Sequence, residues 1–331
     1  MPDNAAPIVV AAGLTKSFRV AEKQPGVRGT LKHLVNRKYK TIEAVKGVSF
    51  TVAPGEIVGF LGANGAGKTT TLKMLTGLLH PTAGSAVVDG HVPFARDGAF
   101  LKGITLVMGN KQQLMWDLPA LDTLRMNAAI YGVSDDELAR RTQELAEMLE
   151  LTDKLTQPVR KLSLGERMKA ELMAALLHDP KVLFLDEPTL GLDVNAQIAV
   201  RAFLRDYNAK KGATILMTSH YMADITALCP RVLVIHEGAM IHDGGLDDLL
   251  HRFSPRREVR VELRSIPDVE RLRGYGELLS HEGHTARFAV EPGALVPTVN
   301  RVLAELDVVD FSVQDPPIEE VIGRVLKGSA A

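Results

Sequence analysis

The sequence lacks the features that would place the chain in an oxidising compartment, in a membrane or on nucleic acid. It has one cysteine, Cys229, among 331 residues, which excludes an internal disulfide and a metal site built from several cysteines. The formal net charge is −1, so the chain has no overall basic excess. No apolar run approaches the roughly 18 residues of a membrane-spanning helix, and the start of the chain lacks a signal-peptide pattern. We therefore expect a folded cytosolic protein that binds no nucleic acid.

Glycine is abundant in one place, between a predicted buried strand and a predicted helix. Residues 57–61 form an apolar run typical of a strand, and residues 69–79 carry leucines at helical spacing. The intervening GANGAGKT matches a P-loop, whose backbone N–H groups and helix N-terminus converge on phosphate. The alternative is a glycine-rich turn without a ligand. The predicted nucleotide-binding residues of this loop are Gly62, Ala63, Asn64, Gly65, Ala66, Gly67, Lys68, Thr69 and Thr70.

Two acidic residues follow a second apolar run, in VLFLDEP at residues 182–188. In open α/β sheets, ligands collect at the carboxyl ends of such strands. Beside a P-loop, Asp186 is predicted to hold Mg²⁺ together with the hydroxyl of Thr69, and Glu187 to act as general base toward water. Lys68 is predicted to reach the β- and γ-phosphates of a nucleoside triphosphate. Alone, this acidic pair would be read as a solvated strand end.

Three further motifs follow in a fixed order. They are LSLGE at residues 162–166, LGLD at 190–193 and TSH at 218–220. With the P-loop, they make residues 8–250 resemble the ATP-binding subunit of ABC transporters. The resemblance implies an α/β P-loop ATPase fold with an antiparallel β-subdomain and a helical subdomain at about 110–165. It also implies that two such domains close head to tail, each ATP lying between the P-loop of one and the LSLGE signature of the other.

The signature departs from the family's LSGGQ pattern at two positions. Leu164 replaces its first glycine and Glu166 its glutamine, while Ser163 and Gly165 remain. We expect Ser163, Gly165 and Glu166 to lie at the nucleotide of the partner domain, although Glu166 adds a negative charge near phosphate. The same residues predict a capping box, with Ser163 as N-cap and Glu166 at the third helical position.

The resemblance assigns four more nucleotide-site residues. Asn110 stands where the family's Q-loop has a glutamine, and would join the Mg²⁺ shell unless Gln112 or Gln113 takes that place. His220, after a predicted strand, is expected to contact the γ-phosphate. Asp193 is expected to organise the dimer rather than to act as a catalyst. Phe18 is predicted to stack on adenine; the alternative is a core phenylalanine.

Three other regions carry weaker signals. A basic insertion at about 21–42 suits lipid headgroups or an acidic loop of a membrane partner, or else forms a solvated flap. An apolar cluster that includes Trp116 and Leu118 is a candidate permease contact, or ordinary packing. Residues 251–331 contain two stretches that alternate like strands, at 258–265 and 285–292, and two helical patterns, at 296–306 and 316–326, which together resemble a small C-terminal α+β accessory domain.

The function that the resemblance implies is ATP hydrolysis that drives an ABC-2-type membrane permease in the direction of export. One P-loop and one signature per chain imply a homodimer, or a heterodimer with a related ATPase. The expected location is the cytoplasmic face of the membrane, through the permease. Two rivals remain at this point: a soluble ABC ATPase of translation or DNA maintenance, and a regulatory subunit that binds ATP but barely hydrolyses it.

Overall fold

A computed structural model describes residues 6–21, 39–109, 111–219, 221–246, 248–249, 256–265 and 268–314. The chain divides into two compact units, Met1–Gly244 and Gly245–Ala331. Most of the predicted basic insertion, residues 22–38, and the predicted helix at 316–326 lie outside the described residues. Among the residues that the structure describes, no helix has the length and apolar character needed to cross a membrane.

The first unit is built from strands and helices that alternate along most of its length. Its strands are β1 (Val9–Ala21), β2 (Tyr39–Val52), β3 (Ile57–Leu61), β4 (Ala83–Val88), β5 (Ile104–Met108), β6 (Val182–Asp186), β7 (Thr214–Thr218), β8 (Arg231–His236) and β9 (Ala239–Gly245). Its helices are α1 (Lys68–Leu75), α2 (Gly98–Gly103), α3 (Ala120–Tyr131), α4 (Asp135–Leu149), α5 (Leu164–Leu176), α6 (Val194–Lys211) and α7 (Met222–Leu228).

A six-stranded sheet in the order β5-β6-β7-β3-β8-β9 forms the centre of this unit. Five of its strands, β5, β6, β7, β3 and β8, run parallel, as expected for short, fully apolar strands covered on both faces. The strand register places Phe60, Thr218, Asp186 and Met108 in one row across four neighbouring strands. The carboxyl ends of these strands therefore meet at one edge of the sheet, where the predicted site residues lie.

A second sheet, antiparallel and three-stranded, has the order β2-β1-β4. Its apolar face shares one core with β3 and α1, and the rings of Phe50 and Phe60 meet edge to face at 5.4 Å between centroids. Phe18 lies near the end of β1, paired in register with Ile42 on β2. It is 37% exposed and is therefore not a core residue.

Helix α1 is shorter than its leucine spacing predicts. It ends at Leu75, whereas the pattern extends to residue 79, and Leu78 is exposed. The reason is Gly77, which has a φ of +68°. A side chain there would place its Cβ 2.1 Å from the carbonyl oxygen of Pro93, so the chain turns at this glycine and the later leucines leave the helix.

The second unit, as far as it is described, contains a four-stranded antiparallel sheet in the order β11-β12-β10-β13. The elements of this unit are β10 (Arg257–Leu263), α8 (Val269–Arg273), β11 (Glu277–Glu282), β12 (Thr285–Val290), α9 (Leu295–Glu305) and β13 (Val308–Gln314). It has its own apolar core, centred on Phe288 and Val261. The sequence predicted β10, β12 and α9 but not β11, α8 or β13.

Candidate functional site

The predicted P-loop joins β3 to α1 in a conformation that requires glycine. Gly67 caps α1 with a φ of +109°, and a Cβ at this position would lie 2.5 Å from the carbonyl oxygen of Ala44. Gly62 and Gly65 also have positive φ angles. Within the loop Ala63, Asn64 and Gly65 are exposed, while Ala66 is buried. The first turn of α1 thus opens from a loop whose backbone a ligand can approach.

Lys68 is buried at the start of α1, 6% exposed. Its Nζ donates hydrogen bonds to the carbonyl oxygens of Gly62, at 2.6 Å, and Ala63, at 3.1 Å. Burial lowers the pKa of Lys68, and the nearby carboxylates of Glu187 and Asp186 oppose that shift. The structure therefore holds a positive charge inside the loop, opposite two acidic side chains.

Asp186, the last residue of β6, accepts hydrogen bonds from two threonine hydroxyl groups. Thr69 Oγ1 donates to Asp186 Oδ2 at 2.8 Å, and Thr218 Oγ1 donates to Oδ1 at 2.7 Å. The two threonines come from α1 and from the end of β7. The predicted pair Thr69 and Asp186 is thus brought together, 117 residues apart in the sequence.

Glu187 follows directly in an uncommon backbone conformation, with a φ of +58°. Its N–H donates to both the side-chain and the main-chain oxygen of Thr218, at 3.0 and 3.2 Å. On the other side Gly109 packs so closely that a Cβ there would lie 2.2 Å from the Glu187 carbonyl oxygen. Neighbouring strands therefore fix the backbone of Glu187 from two directions.

These residues border a cleft of about 140 Å³. Its lining residues are Thr69, Lys73, Met108, Lys111, Asp186, Glu187 and Leu190. The oxygen ligands Thr69 and Asp186 suit Mg²⁺, which in such sites takes one or two protein ligands and completes its shell with water and phosphate. Among the described residues, no group of three or more histidine, cysteine or acidic side chains is arranged to hold a metal.

The signature motif forms a capping box at the start of α5, as predicted. Ser163 Oγ accepts from Glu166 N–H at 3.2 Å, and Glu166 Oε2 accepts from Ser163 N–H at 2.9 Å. The other carboxylate oxygen, Oε1, lies 3.1 Å from Lys154 Nζ. The Ser163 N–H and Lys154 hold the pKa of Glu166 below its ordinary value. The negative charge that Glu166 adds to the signature is therefore paired with the positive charge of Lys154 in the same chain.

The other predicted signature residues differ in their exposure. Ser163 and Leu164 are exposed, so both are accessible at the surface. Gly165 is buried against α6, where a Cβ would lie 2.8 Å from the Cβ of Ala196. None of these three residues lines the cleft at Asp186. Within one chain, the P-loop and the signature are separate sites.

Asp193 is the N-cap of α6, and its Oδ1 accepts from Ala196 N–H at 2.9 Å. Its expected role in a dimer stays a prediction. So does the adenine stacking of Phe18, whose ring lies 5.3 Å from Lys16 Nζ. Asn110 and His220 lie outside the described residues, so their predicted contacts with Mg²⁺ and the γ-phosphate also stay predictions.

Sequence reasoning missed several residues that support the site. Thr218 belongs to the TSH motif, but only its position in the sheet reveals the bond to Asp186. Asp224 on α7 is fully buried and accepts hydrogen bonds from Ser219 Oγ, at 2.6 Å, and from Thr189 Oγ1. Arg201 Nε lies 3.2 Å from its other oxygen. The sequence offered one signal for Asp224, its place four positions after His220, the histidine predicted to contact the γ-phosphate.

Comparison with protein families gives two matches along the chain. Residues 45–190 match the ABC transporter family, and residues 255–314 match the C-terminal domain of EvrA-like ABC transporters. The first match contains the P-loop, the signature, Asp186 and Glu187. The second lies within the second compact unit.

Individual relatives agree with these matches. The ABC transporter ATP-binding protein NatA of Bacillus subtilis (strain 168) is 36% identical over 212 residues, 64% of this chain and 86% of that protein. The Nod factor export ATP-binding protein I of Paraburkholderia xenovorans (strain LB400) is 36% identical over 254 residues, 74% and 83% of the two chains. A solved ATP-binding subunit of an ABC transporter superposes with a TM-score of 0.61 at 27% identity, covering 74% of this chain and 93% of that one. The predicted fold class is thereby confirmed.

Proposed function

Because the chain belongs to the family of ABC transporter ATP-binding proteins, we propose that it drives a membrane permease of the ABC-2 type in the direction of export. One observation carries the proposal: Lys68, Thr69, Asp186 and Glu187 converge at one edge of the central sheet. The direction rests on a relative that is named for Nod factor export. The ABC-2 class rests on the sequence resemblance.

In the proposed mechanism the P-loop and Lys68 bind the phosphates of ATP. Lys68 already donates to two loop carbonyls, so its ammonium group is oriented before a nucleotide arrives. Thr69 and Asp186 would hold Mg²⁺, which supplies charge neutralisation at the β- and γ-phosphates. Thr218 keeps the Asp186 carboxylate in place through its 2.7 Å hydrogen bond.

Glu187 is proposed to accept a proton from the attacking water. The hydrogen bonds of its N–H to Thr218 and the close approach of Gly109 fix where its backbone lies. His220 would stabilise the charge of the γ-phosphate in the transition state. Asn110 would complete the metal shell through water. Glu187 lines the same cleft as Thr69 and Asp186, which supports this assignment, while Asn110 and His220 lie outside the described residues.

A complete catalytic site requires two chains in this proposal. Ser163 and Leu164 of the signature are exposed and do not line the cleft of their own chain, so a second chain would present Ser163, with Gly165 behind it, to the ATP held by the first. The capping box keeps the first turn of α5 helical, and the negative charge of Glu166 is paired with Lys154. A helix N-terminus carries a partial positive charge, which favours phosphate.

The proposed location is the cytoplasmic face of the membrane, reached through the permease. Exposed apolar side chains follow β5, namely Met115, Trp116 and Leu118. Together they form a surface on which a permease segment could pack. The C-terminal unit is proposed to serve dimerisation or regulation.

Steady-state phosphate release tests the enzymatic part of the proposal. Lys68→Ala should lower the rate by about 100-fold or more, since the P-loop loses its only buried cation. Lys181→Ala is the matched control, because Lys181 is a lysine just before β6, paired with Asp89 at 2.9 Å. If the wild type and Lys68→Ala release phosphate at the same rate, the result would favour the alternative function, a regulatory subunit that binds ATP but barely hydrolyses it.

A further inference from the structure

A buried carboxylate outside the catalytic cleft holds the segment that follows β5. Glu171 lies in α5 and is only 4% exposed. Its Oε1 and Oε2 accept from the N–H of Gln113 at 3.0 and 2.9 Å, and Oε1 also accepts from the N–H of Leu114 at 3.1 Å. Three hydrogen bonds from backbone to one side chain join a loop to a helix 57 residues later in the chain.

Burying a carboxylate is costly unless donors surround it. Burial raises the pKa of Glu171, and the two backbone N–H groups and the charge of Arg167 oppose that shift. An apolar side chain at this position would avoid the cost but leave the N–H groups of Gln113 and Leu114 without this acceptor. The carboxylate therefore attaches the backbone of the loop to the helix, which an apolar side chain could not do.

The position of Glu171 in α5 links the loop to the signature. The helix begins directly after Ser163, so Glu171 stands eight residues, or about 12 Å, from that N-cap. Along this length a helix moves as a rigid body. The hydrogen bonds of Glu171 therefore connect the backbone at 113–114 to the helix that begins at Ser163.

Further contacts attach the same segment to the region just before α5. Val159 N–H donates to the Leu118 carbonyl oxygen and Arg160 N–H to that of Trp116, both at 3.0 Å. The guanidinium group of Arg167, in the first turn of α5, lies 4.3 Å from the centre of the Trp116 ring. The segment at 116–118 therefore contacts both the signature helix α5 and the residues just before it.

We propose that Glu171 is a positioning residue that couples residues 113–118 to the signature helix. Its carboxylate transmits the position of the segment to Ser163, and so sets how readily two chains close on ATP. Glu171 touches neither nucleotide nor metal. The inference rests on the proposed function, because it assigns a role to Glu171 only where the signature closes on a second chain.

The test uses the full chain with Glu187→Gln, so that bound ATP is not consumed. Glu171→Gln preserves the shape of the side chain but replaces one acceptor oxygen with an NH₂ group that faces a backbone N–H. Glu144→Gln is the control, because Glu144 is another partly buried glutamate of the first unit, whose carboxylate pairs with the side chains of Arg140 and Lys210. Three quantities are measured: ATP affinity, the mass in solution with MgATP, and the emission of Trp116.

Trp116 is the only tryptophan in the chain, so intrinsic fluorescence reports on this segment alone. We expect Glu171→Gln to bind MgATP within about twofold of the parent, since the P-loop is untouched, but to form dimers about tenfold less readily. The emission change of Trp116 on adding MgATP should fall to less than half. The control should match the parent in all three measurements. Closure and emission equal to those of the parent would overturn the inference.

Hydrogen exchange on the Glu187→Gln protein provides a second test that needs no change at Glu171. The amides of Gln113 and Leu114 and those of the first turn of α5 should gain protection together when MgATP is added. Independent responses would overturn the inference even if Glu171→Gln fails to fold. A different result would contradict the proposed function: a wild-type chain that does not bind ATP, and a rate of phosphate release that does not depend on Lys68.

Discussion

Thr69 and Asp186 are joined by a hydrogen bond of 2.8 Å between Oγ1 and Oδ2. The bond connects the first turn of α1 to the end of β6, which are the two elements that the proposed Mg²⁺ must contact. Thr69 and Asp186 would therefore hold Mg²⁺ together without movement of α1 or β6, once the Thr69 hydroxyl turned its proton away from the carboxylate. Phosphate and water would complete the shell.

The first prediction concerns the close approach of Gly109 to Glu187. Gly109→Ala would place a Cβ 2.2 Å from the Glu187 carbonyl oxygen and must displace the backbone of the proposed base. We expect kcat for ATP hydrolysis to fall by about tenfold or more, with ATP affinity within about threefold. Gly98→Ala is the control, since a Cβ there meets no atom within 4 Å. Equal rates for both variants would contradict this role of Gly109.

The second prediction concerns Thr218, which bonds both acidic residues. Thr218→Val keeps the shape but removes the donor to Asp186 and the side-chain acceptor for Glu187 N–H, while the main-chain acceptor stays. We expect kcat to fall by about 10- to 100-fold, since one lost hydrogen bond to a charged group is worth about 1.5–3 kcal/mol. Thr214→Val, at the other end of the same strand, loses a bond to Gly55 and should retain full activity.

The third prediction is a dependence of stability on pH at the signature. The pKa of Glu166 is depressed in the folded chain, so its contribution is present above the unfolded value, about 4.3, and is lost as the pH falls through the folded value. Glu166→Gln should therefore lower Tm by about 2 °C at pH 7, and the difference should shrink below pH 4. Thermal melts at both pH values measure it.

Glu137→Gln serves as the control for that experiment. Glu137 occupies the same place in α4 behind the N-cap Ser134, but its carboxylate pairs with Arg141 instead of closing a capping box. A Tm difference for Glu166→Gln that is independent of pH, or no larger than that of Glu137→Gln, would count against the charged capping box.

The fourth prediction concerns the exposed apolar surface after β5. Leu118→Asp introduces a charge on a side chain that is 42% exposed and far from the P-loop in the sequence. We expect basal ATP hydrolysis to stay within about twofold of wild type, because Leu118 bonds to Val159 through its backbone carbonyl, which the substitution keeps. Sedimentation of the chain with membranes of its native cells should decrease. Unchanged sedimentation would argue against a permease contact at this surface.

Local sequence patterns predicted the parts of the site that depend on neighbouring residues. The P-loop, the strand before Asp186 and the capping box at Ser163 are each encoded within a few positions, and the structure has all three. The predicted end of α1, at residue 79, lies beyond the observed end at Leu75, because the close approach of Gly77 to Pro93 is a tertiary contact. No pattern of residue types indicates that contact in advance.

The supporting contacts could not be predicted for the same physical reason. Glu171 reads as an ordinary polar position of a helix, and only the folded chain brings it to the backbone of Gln113. Likewise, the sequence shows that Glu166 adds a negative charge near the predicted phosphate site, but not that Lys154, 12 residues earlier, pairs with it. Patterns of residue type thus predicted a phosphate site, while the fold determined which charges are neutralised.

The most direct test of the account is the solution mass of Glu187→Gln with and without MgATP, by light scattering behind a sizing column. Without its proposed base the chain should bind ATP and retain it, and the mass should rise from 35.9 kDa to twice that value. The double variant with Lys68→Ala should stay a monomer. A Glu187→Gln protein that binds ATP but remains at 35.9 kDa would contradict the claim that two copies of this chain form the catalytic site.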